Sequence, residues 1–188
     1  MIDIQLKGAD EALKKLATIP NGIEKAANRA INRTATSARA IVAREISKQY
    51  YVKITDIKKT IQLRKSNRKS LSAELISRGG VIALSKYKVS PRGVQHRGSK
   101  NRPLRVAVKK GAGKKTIGSA FIAQFKSGHV GVVHRKGKKR FPLQELYGPS
   151  IPQMLKNENV IGPVKEQTAT RLQKEFKHEA GRVIEKGK

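Results

Sequence analysis

Apolar residues recur at helical spacing through the first third of the chain. In the proline-free run from Gly22 to about Lys48, Ile23, Ala27, Ile31, Ala38, Ile41, Val42 and Ile46 fall near one stripe, the period of a helix with one buried face. At 1.5 Å per residue this predicts a rod roughly 40 Å long. The small residues Ala27, Ala30, Ala35 and Ala38 suit close packing against a second helix or a sheet. Asp10 is placed to cap a short helix Glu11–Ala17, interrupted by Pro20. Asn21, with Glu24 three residues on, predicts a capping box at the start of the long helix. Thr55 or Asp56 is expected to cap a turn ending near Thr60.

Beyond residue 60 the period shortens to two. Strands are expected at Ile61–Arg64, Leu71–Ser77, Val81–Leu84, Leu104–Lys109, Ala120–Phe125 and Val130–Arg135. In one of them Leu104, Val106 and Val108 share a parity that Arg105, Ala107 and Lys109 do not. Phe125 to Val130, with Gly128 inside, reads as a hairpin turn. No helix-length crossover separates these segments, so antiparallel pairing is predicted. A helical period returns in 152–188, where Val164, Leu172, Phe176, Ala180 and Val183 recur after Gly162-Pro163. Charges of alternating sign mark the other face as solvated.

The expected fold is α+β in a single domain over 1–188. A long N-terminal helix (within 1–60) and a C-terminal helix (within 152–188) pack on a mostly antiparallel sheet (within 61–147), with extended basic loops. Hydrophobic residues make up 37% of the chain and aromatics 4%. A core this lean is expected to be small and completed by neighbouring subunits.

Charge changes the picture most. The chain holds 42 Lys and Arg against 13 Asp and Glu, for a net charge of +29. Between Glu74 and Glu145 there is no acidic residue, while eighteen Lys and Arg run from Arg78 to Arg140. Like charges repel and strain a compact state, so this stretch implies a polyanion or an acidic protein face beside it. Its cations form three clusters. Loop 86–103 carries Lys86, Lys88, Arg92, Arg97, Lys100 and Arg102. Loop 109–116 carries Lys109, Lys110, Lys114 and Lys115. The tract after the hairpin carries Arg135, Lys136, Lys138, Lys139 and Arg140.

Little points to bond-making chemistry. There is no cysteine, which removes disulfides, thiolate metal sites and cysteine nucleophiles. The stretch Gly111 to Thr116 departs from a phosphate-binding loop, because Val108 stands where its first glycine belongs and Lys115 where Ser or Thr would follow. His129 and His134 differ in parity on their strand, and an acid-free region cannot complete a metal site around them. Most carboxylates are expected on exposed helical faces. No catalytic residue, metal or cofactor is therefore expected. Tyr50, Tyr51 and Tyr87 are too few for a base-stacking platform, and Tyr87 reads better as a sheet-face aromatic. An electrostatic contact to a phosphate backbone fits better than base readout. No apolar run approaches the length of a membrane span and the N-terminus has no signal-peptide core, which predicts a soluble protein made in a cytoplasm.

One segment is more specific. The run Arg140-Phe141-Pro142-Leu143-Gln144-Glu145-Leu146-Tyr147-Gly148-Pro149-Ser150-Ile151-Pro152 resembles a signature of the prophage minor tail protein Z family, the tail-completion proteins of lambda-like long-tailed bacteriophages. Ala30–Ala35 in an early alanine-rich helix, and Ala120–Phe125 ahead of Gly128 and a valine-rich strand, agree with that layout in order and spacing. The resemblance implies a non-enzymatic virion component at the head-proximal end of the tail, active in head–tail joining and assembled in the host cytoplasm. Its partners would be other tail and neck proteins, such as a tail terminator and a head–tail connector, and further copies of itself in a ring. The basic clusters would face packaged DNA or an acidic neighbouring ring. Phe141, Pro142, Leu146, Gly148, Pro149, Ser150, Ile151 and Pro152 would form a fixed strand–turn–helix joint for subunit contacts. Without the resemblance, the charge alone would equally suit a general DNA-binding or ribosome-associated protein.

Overall fold

The computed structural model describes residues 10–94 and 103–186. Helices α1 (Asp10–Ala17), α2 (Gly22–Gln49) and α3 (Ile54–Thr60) lead the chain. Ten short strands follow: β1 (Ile61–Arg64), β2 (Glu74–Ser77), β3 (Ile82–Ala83), β4 (Lys88–Ser90), β5 (Leu104–Ala107), β6 (Lys115–Ile117), β7 (Ala120–Gln124), β8 (Val130–Arg135), β9 (Leu143–Glu145) and β10 (Tyr147–Gly148). Helices α4 (Ile151–Leu155) and α5 (Glu158–Lys186) close it. The architecture is α+β and every ladder is antiparallel.

The strands divide into four small sheets, β1-β2, β3-β10, β4-β5-β6 and β7-β8-β9. Strands of two to six residues, broken by turns such as Gly79-Gly80 and Gly111 to Gly113, are too short to continue one ladder. Of these, β4 lies inside the segment 86–103 expected as a basic loop, and β6 starts within the expected loop 109–116. Three residues leave too little alternation to be read as a strand.

Helix α2 pairs with α5 over most of its length. Ala26, Ala30 and Ala43 are fully buried there or nearby, and Ala38 is almost so, so small side chains let the backbones approach. Leu16 of α1 joins Ala26, Ala30, Phe176, Ala180 and Val183 in one apolar cluster. The larger cluster lies between the second half of α2 and the sheets, and includes Ile46, Ile57, Leu104, Val132, Ile151, Met154 and Val160.

Helix ends differ from expectation in three places. Asn21 has a left-handed backbone (φ 54°) and its side chain makes no capping bond, so the predicted capping box is absent. The turn is closed by the Gly22 amide donating to the Ile19 carbonyl at 2.8 Å. A Cβ on Gly22 would lie 2.6 Å from the Leu16 carbonyl oxygen, so only glycine fits that crossing. Helix α3 is preceded by Lys53 and has no side-chain cap. Asp56 sits inside its first turn, where a negative charge still complements the helix dipole.

The third difference is the start of α5. Pro163 lies within the helix, whereas the helix was expected to begin after it. A proline this close to the start removes a single intrahelical bond, to the Asn159 carbonyl. The turn ahead of it is held by Asn157, whose carbonyl accepts from the Val160 and Ile161 amides. The Asn157 Oδ1 accepts from the Asn159 amide, and its Nδ2 donates to the Tyr50 hydroxyl at 3.0 Å.

Candidate interaction surface

The described basic clusters sit on hairpin connections. Val106 pairs with Lys115 in the β5–β6 ladder, so Lys109, Lys110 and Lys114 lie on the loop joining those strands. Arg135 pairs with Leu143 across β8 and β9, and the Lys136 amide donates to the Pro142 carbonyl. Lys138, Lys139 and Arg140 therefore ride the tip of that hairpin. All of these side chains are exposed, as is Arg92 after β4. Arg97, Lys100 and Arg102 fall outside the described residues.

Aromatic rings at the base gather some of these cations. Lys88 and Lys110 stand 5.0 and 5.6 Å from the Tyr51 ring centroid, and Lys109 stands 5.8 Å from that of Tyr50. The Lys110 amide also donates to the Gln49 carbonyl at the end of α2. The fold thus brings Lys88 of β4 and Lys109 and Lys110 of the β5–β6 loop to the Tyr50 and Tyr51 rings. On the other hairpin, Arg135 lies over Phe121 and Arg140 over Phe141. Tyr87 is not part of this surface. It is buried, its hydroxyl donates to the Pro149 carbonyl at 2.9 Å, and burial pushes its phenol pKa up.

The segment from Phe141 to Pro152 is built into the sheets and the core. The Leu146 amide donates to Val132 and its carbonyl accepts from Leu84, which ties two sheets together. Gly148 passes against the Tyr87 ring, where a Cβ would come 2.7 Å from Cε2. Ser150 caps α4 in a capping box with Gln153, Pro152 lies in its first turn, and Ile151 is buried. What this segment exposes is Phe141, 64% accessible, with Pro142, Gln144 and Tyr147. Glu145 lies across Gly131 and accepts from the Tyr147 hydroxyl, with His129 Nε2 at 2.9 Å. The bond to that carboxylate raises the Tyr147 pKa.

The helical layer handles charge differently. Glu45, Glu175 and Glu179, expected on solvated faces, are buried. Arg33 reaches Glu179 at 3.2 Å and Glu175 at 3.6 Å, while Arg171 holds Glu175 at 2.7 Å and Arg182 holds Glu179 at 3.3 Å. Burial pushes the Glu45 carboxyl up, but hydrogen bonds from Lys48 and Gln167 outweigh it and leave its pKa below the usual range. Glu175, His178 and Glu179 offer ligand atoms within 4.8 Å of one another. Guanidinium groups already occupy those carboxylates, so the cluster is an ion-pair network, not an open cation site.

The family model for prophage minor tail protein Z matches residues 6–185, which takes in both hairpin tips, the 141–152 joint and the paired long helices. The chain belongs to that family. No curated protein and no solved structure matches it. As a minor tail protein Z it is a structural component of a phage tail, with its partners among other tail and virion proteins. Among its described residues no helix is long and apolar enough to cross a membrane.

Two features of this tail protein escaped the sequence. The cap Asn157 stands just ahead of Glu158 and carried the ordinary signal of an N-cap, masked by the later Gly162-Pro163. The buried glutamates carried none. Glu175 and Glu179 are spaced like any exposed acidic pair, and only the arrival of Arg33 from α2 distinguishes them.

Proposed function

We propose that this protein completes the head-proximal end of the tail and takes part in joining tail to head, as one subunit of a ring. The hairpins β5–β6 and β8–β9 face the DNA end or the acidic rim of a neighbouring ring. Phe141 and Pro142, exposed where the β8–β9 hairpin enters β9, contribute to subunit contacts. The role asks no bond-making of the chain. A head-to-tail interface that closes on itself suits a tube.

The observation that supports this reading most is the exposure of every described cation on the two hairpins, with no carboxylate partner for Lys109, Lys110, Lys114, Lys115, Lys136, Lys138 or Lys139 among the described residues. Within a protein of this family, such a surface is best explained by an anionic neighbour in the virion. The test replaces Lys114, Lys115, Lys138 and Lys139 by Gln. Tails assembled with this variant should look complete by negative stain, yet join heads at least about tenfold less often, since each lost phosphate or carboxylate contact weakens association. Joined particles at the wild-type yield would remove the hairpins from the junction.

A further inference from the structure

A second charged surface lies on the opposite kind of structure, in the groove between α2 and α5. Two adjoining hollows of about 390 and 680 Å³ run along it and share Ser37 and Arg171. Their walls carry Arg33, Arg44, Lys65, Arg171 and Lys174. The carboxylates there are Glu175, already held by Arg33 and Arg171, and Glu166.

Several of these cations are held in place. Asn32 clamps the backbone of Ser66 from both sides, accepting from its amide at 2.8 Å and donating to its carbonyl at 3.1 Å. That clamp sets the neighbouring Lys65 at the rim. The buried carboxylate of Glu175 fixes the guanidinium of Arg171. Arg44, Lys65 and Lys174 are exposed and have no carboxylate partner among the described residues. From Arg33 to Arg44 the row spans roughly 16 Å of helix at 1.5 Å per residue. Between its ends the lining includes Ser37, Ala40 and Ile41, small or apolar side chains that leave room for another chain.

We propose that this groove receives an acidic segment of a partner protein. Its charge surplus is positive, but Glu166 and Glu175 stand in its walls. A phosphate backbone would meet the exposed Glu166 as a like charge, whereas the hairpin tips, residues 109–116 and 136–142, carry no carboxylate. A groove between two long helices with an Ala-Ile floor accepts side chains of both kinds, which is how an amphipathic segment docks. The unpaired Arg44, Lys65 and Lys174 then meet carboxylates. The inference extends the assembly role to a second face and does not depend on what the hairpins touch.

The test measures binding of the full chain to a fluorescein-labelled Glu-rich peptide and, separately, to a labelled short DNA duplex. One variant carries Arg44→Glu, Lys65→Glu and Lys174→Glu. A control carries the same charge change on the hairpins, at Lys114, Lys138 and Lys139. Circular dichroism checks folding, and the corresponding Gln variants replace any Glu variant that unfolds. The groove variant should lose at least about tenfold in peptide affinity and stay within about twofold for the duplex, while the control loses far less for the peptide. Equal peptide losses in the two variants would mean net charge alone is read and would overturn the proposal. So would an unchanged peptide affinity in the groove variant. A duplex affinity that falls with the peptide in the groove variant would make the groove a phosphate site and also overturn it. None of these results alters the prediction for head joining by the hairpin lysines.

Discussion

The helical layer and the β-rich part dispose of charge in opposite ways. Between α2 and α5, Arg33, Arg171 and Arg182 spend their charge on Glu175 and Glu179, which the helices bury. On the β5–β6 and β8–β9 hairpins the cations are exposed and have no carboxylate partner among the described residues. A buried carboxylate must find its partners within the chain, because desolvation without them is costly. An exposed lysine loop has no such demand, and its only intrachain charge contacts among the described residues are those of Lys109 and Lys110 with the Tyr50 and Tyr51 rings. Removing charge from the buried Glu175–Glu179 network should therefore cost stability, and removing it from the hairpin tips should cost association.

The sharpest way to break that contrast is Glu179→Ala. Glu179 is fully buried, with Arg33 at 3.2 Å, Arg182 at 3.3 Å and Arg29 at 4.0 Å. Its loss leaves Arg29 and Arg182 without a carboxylate partner among the described residues, leaves Arg33 only Glu175 at 3.6 Å, and opens a void against α2. The expected cost is about 3 kcal/mol, a fall in Tm of roughly 6–12 °C for a chain this size. A Tm within about 2 °C of wild type would show that solvent satisfies the arginines and that the helical layer needs no internal pairing.

A smaller effect separates two glycines of the β-rich part. At Gly148 a methyl group would meet Cε2 and Cζ of Tyr87 at 2.7 and 2.9 Å. Tyr87 is buried and tied to Pro149, so it has little room to move, and Gly148→Ala should cost about 1–3 kcal/mol. At Gly131 the methyl would meet Glu145 Oε1 at 2.7 Å, the end of a side chain that can swing outward. Gly131→Ala should cost about 0.5 kcal/mol or less and release His129 from Glu145. Thermal unfolding of the two variants side by side checks the ranking. Equal losses would mean that the Tyr87 contact does not hold the joint.

How far these features were legible depends on the range of the forces that set them. The long α2, β1 and β8 follow from local periodicity, and each stands within a residue of its expected bounds. The Ser150 cap follows from local backbone chemistry, whereas Gly148, expected to turn the chain with Pro149, ends strand β10 against Ile82. Division into four sheets was not legible, because the pairing of β3 with β10 joins residues more than sixty positions apart. The buried Glu175 and Glu179 were hidden for the same reason, since their partner Arg33 comes from the other end of the chain. The basic hairpins were legible as charge but not as hairpins. Their positions on the β5–β6 and β8–β9 connections depend on β6 and β9, each only three residues long.

The smallest expected effect is the most telling for the β-rich part. Replacing Lys114, Lys115, Lys138 and Lys139 by Gln removes four exposed charges that have no carboxylate partner among the described residues. Nothing attractive is lost within the chain, and some repulsion in a protein of net charge +29 is relieved. Stability should stay within about 0.5 kcal/mol of wild type, with any shift upward. Salt provides the internal check. At 0.1 M the screening length is about 10 Å, enough to quiet repulsion along a lysine loop, so wild type should gain in Tm on moving from low to moderate salt. The variant should gain less, because the repulsion that salt relieves has already been removed. A drop of several degrees in the variant at every salt concentration would mean that these lysines hold the fold together, and the contrast between the two regions would then fail on its β-rich side.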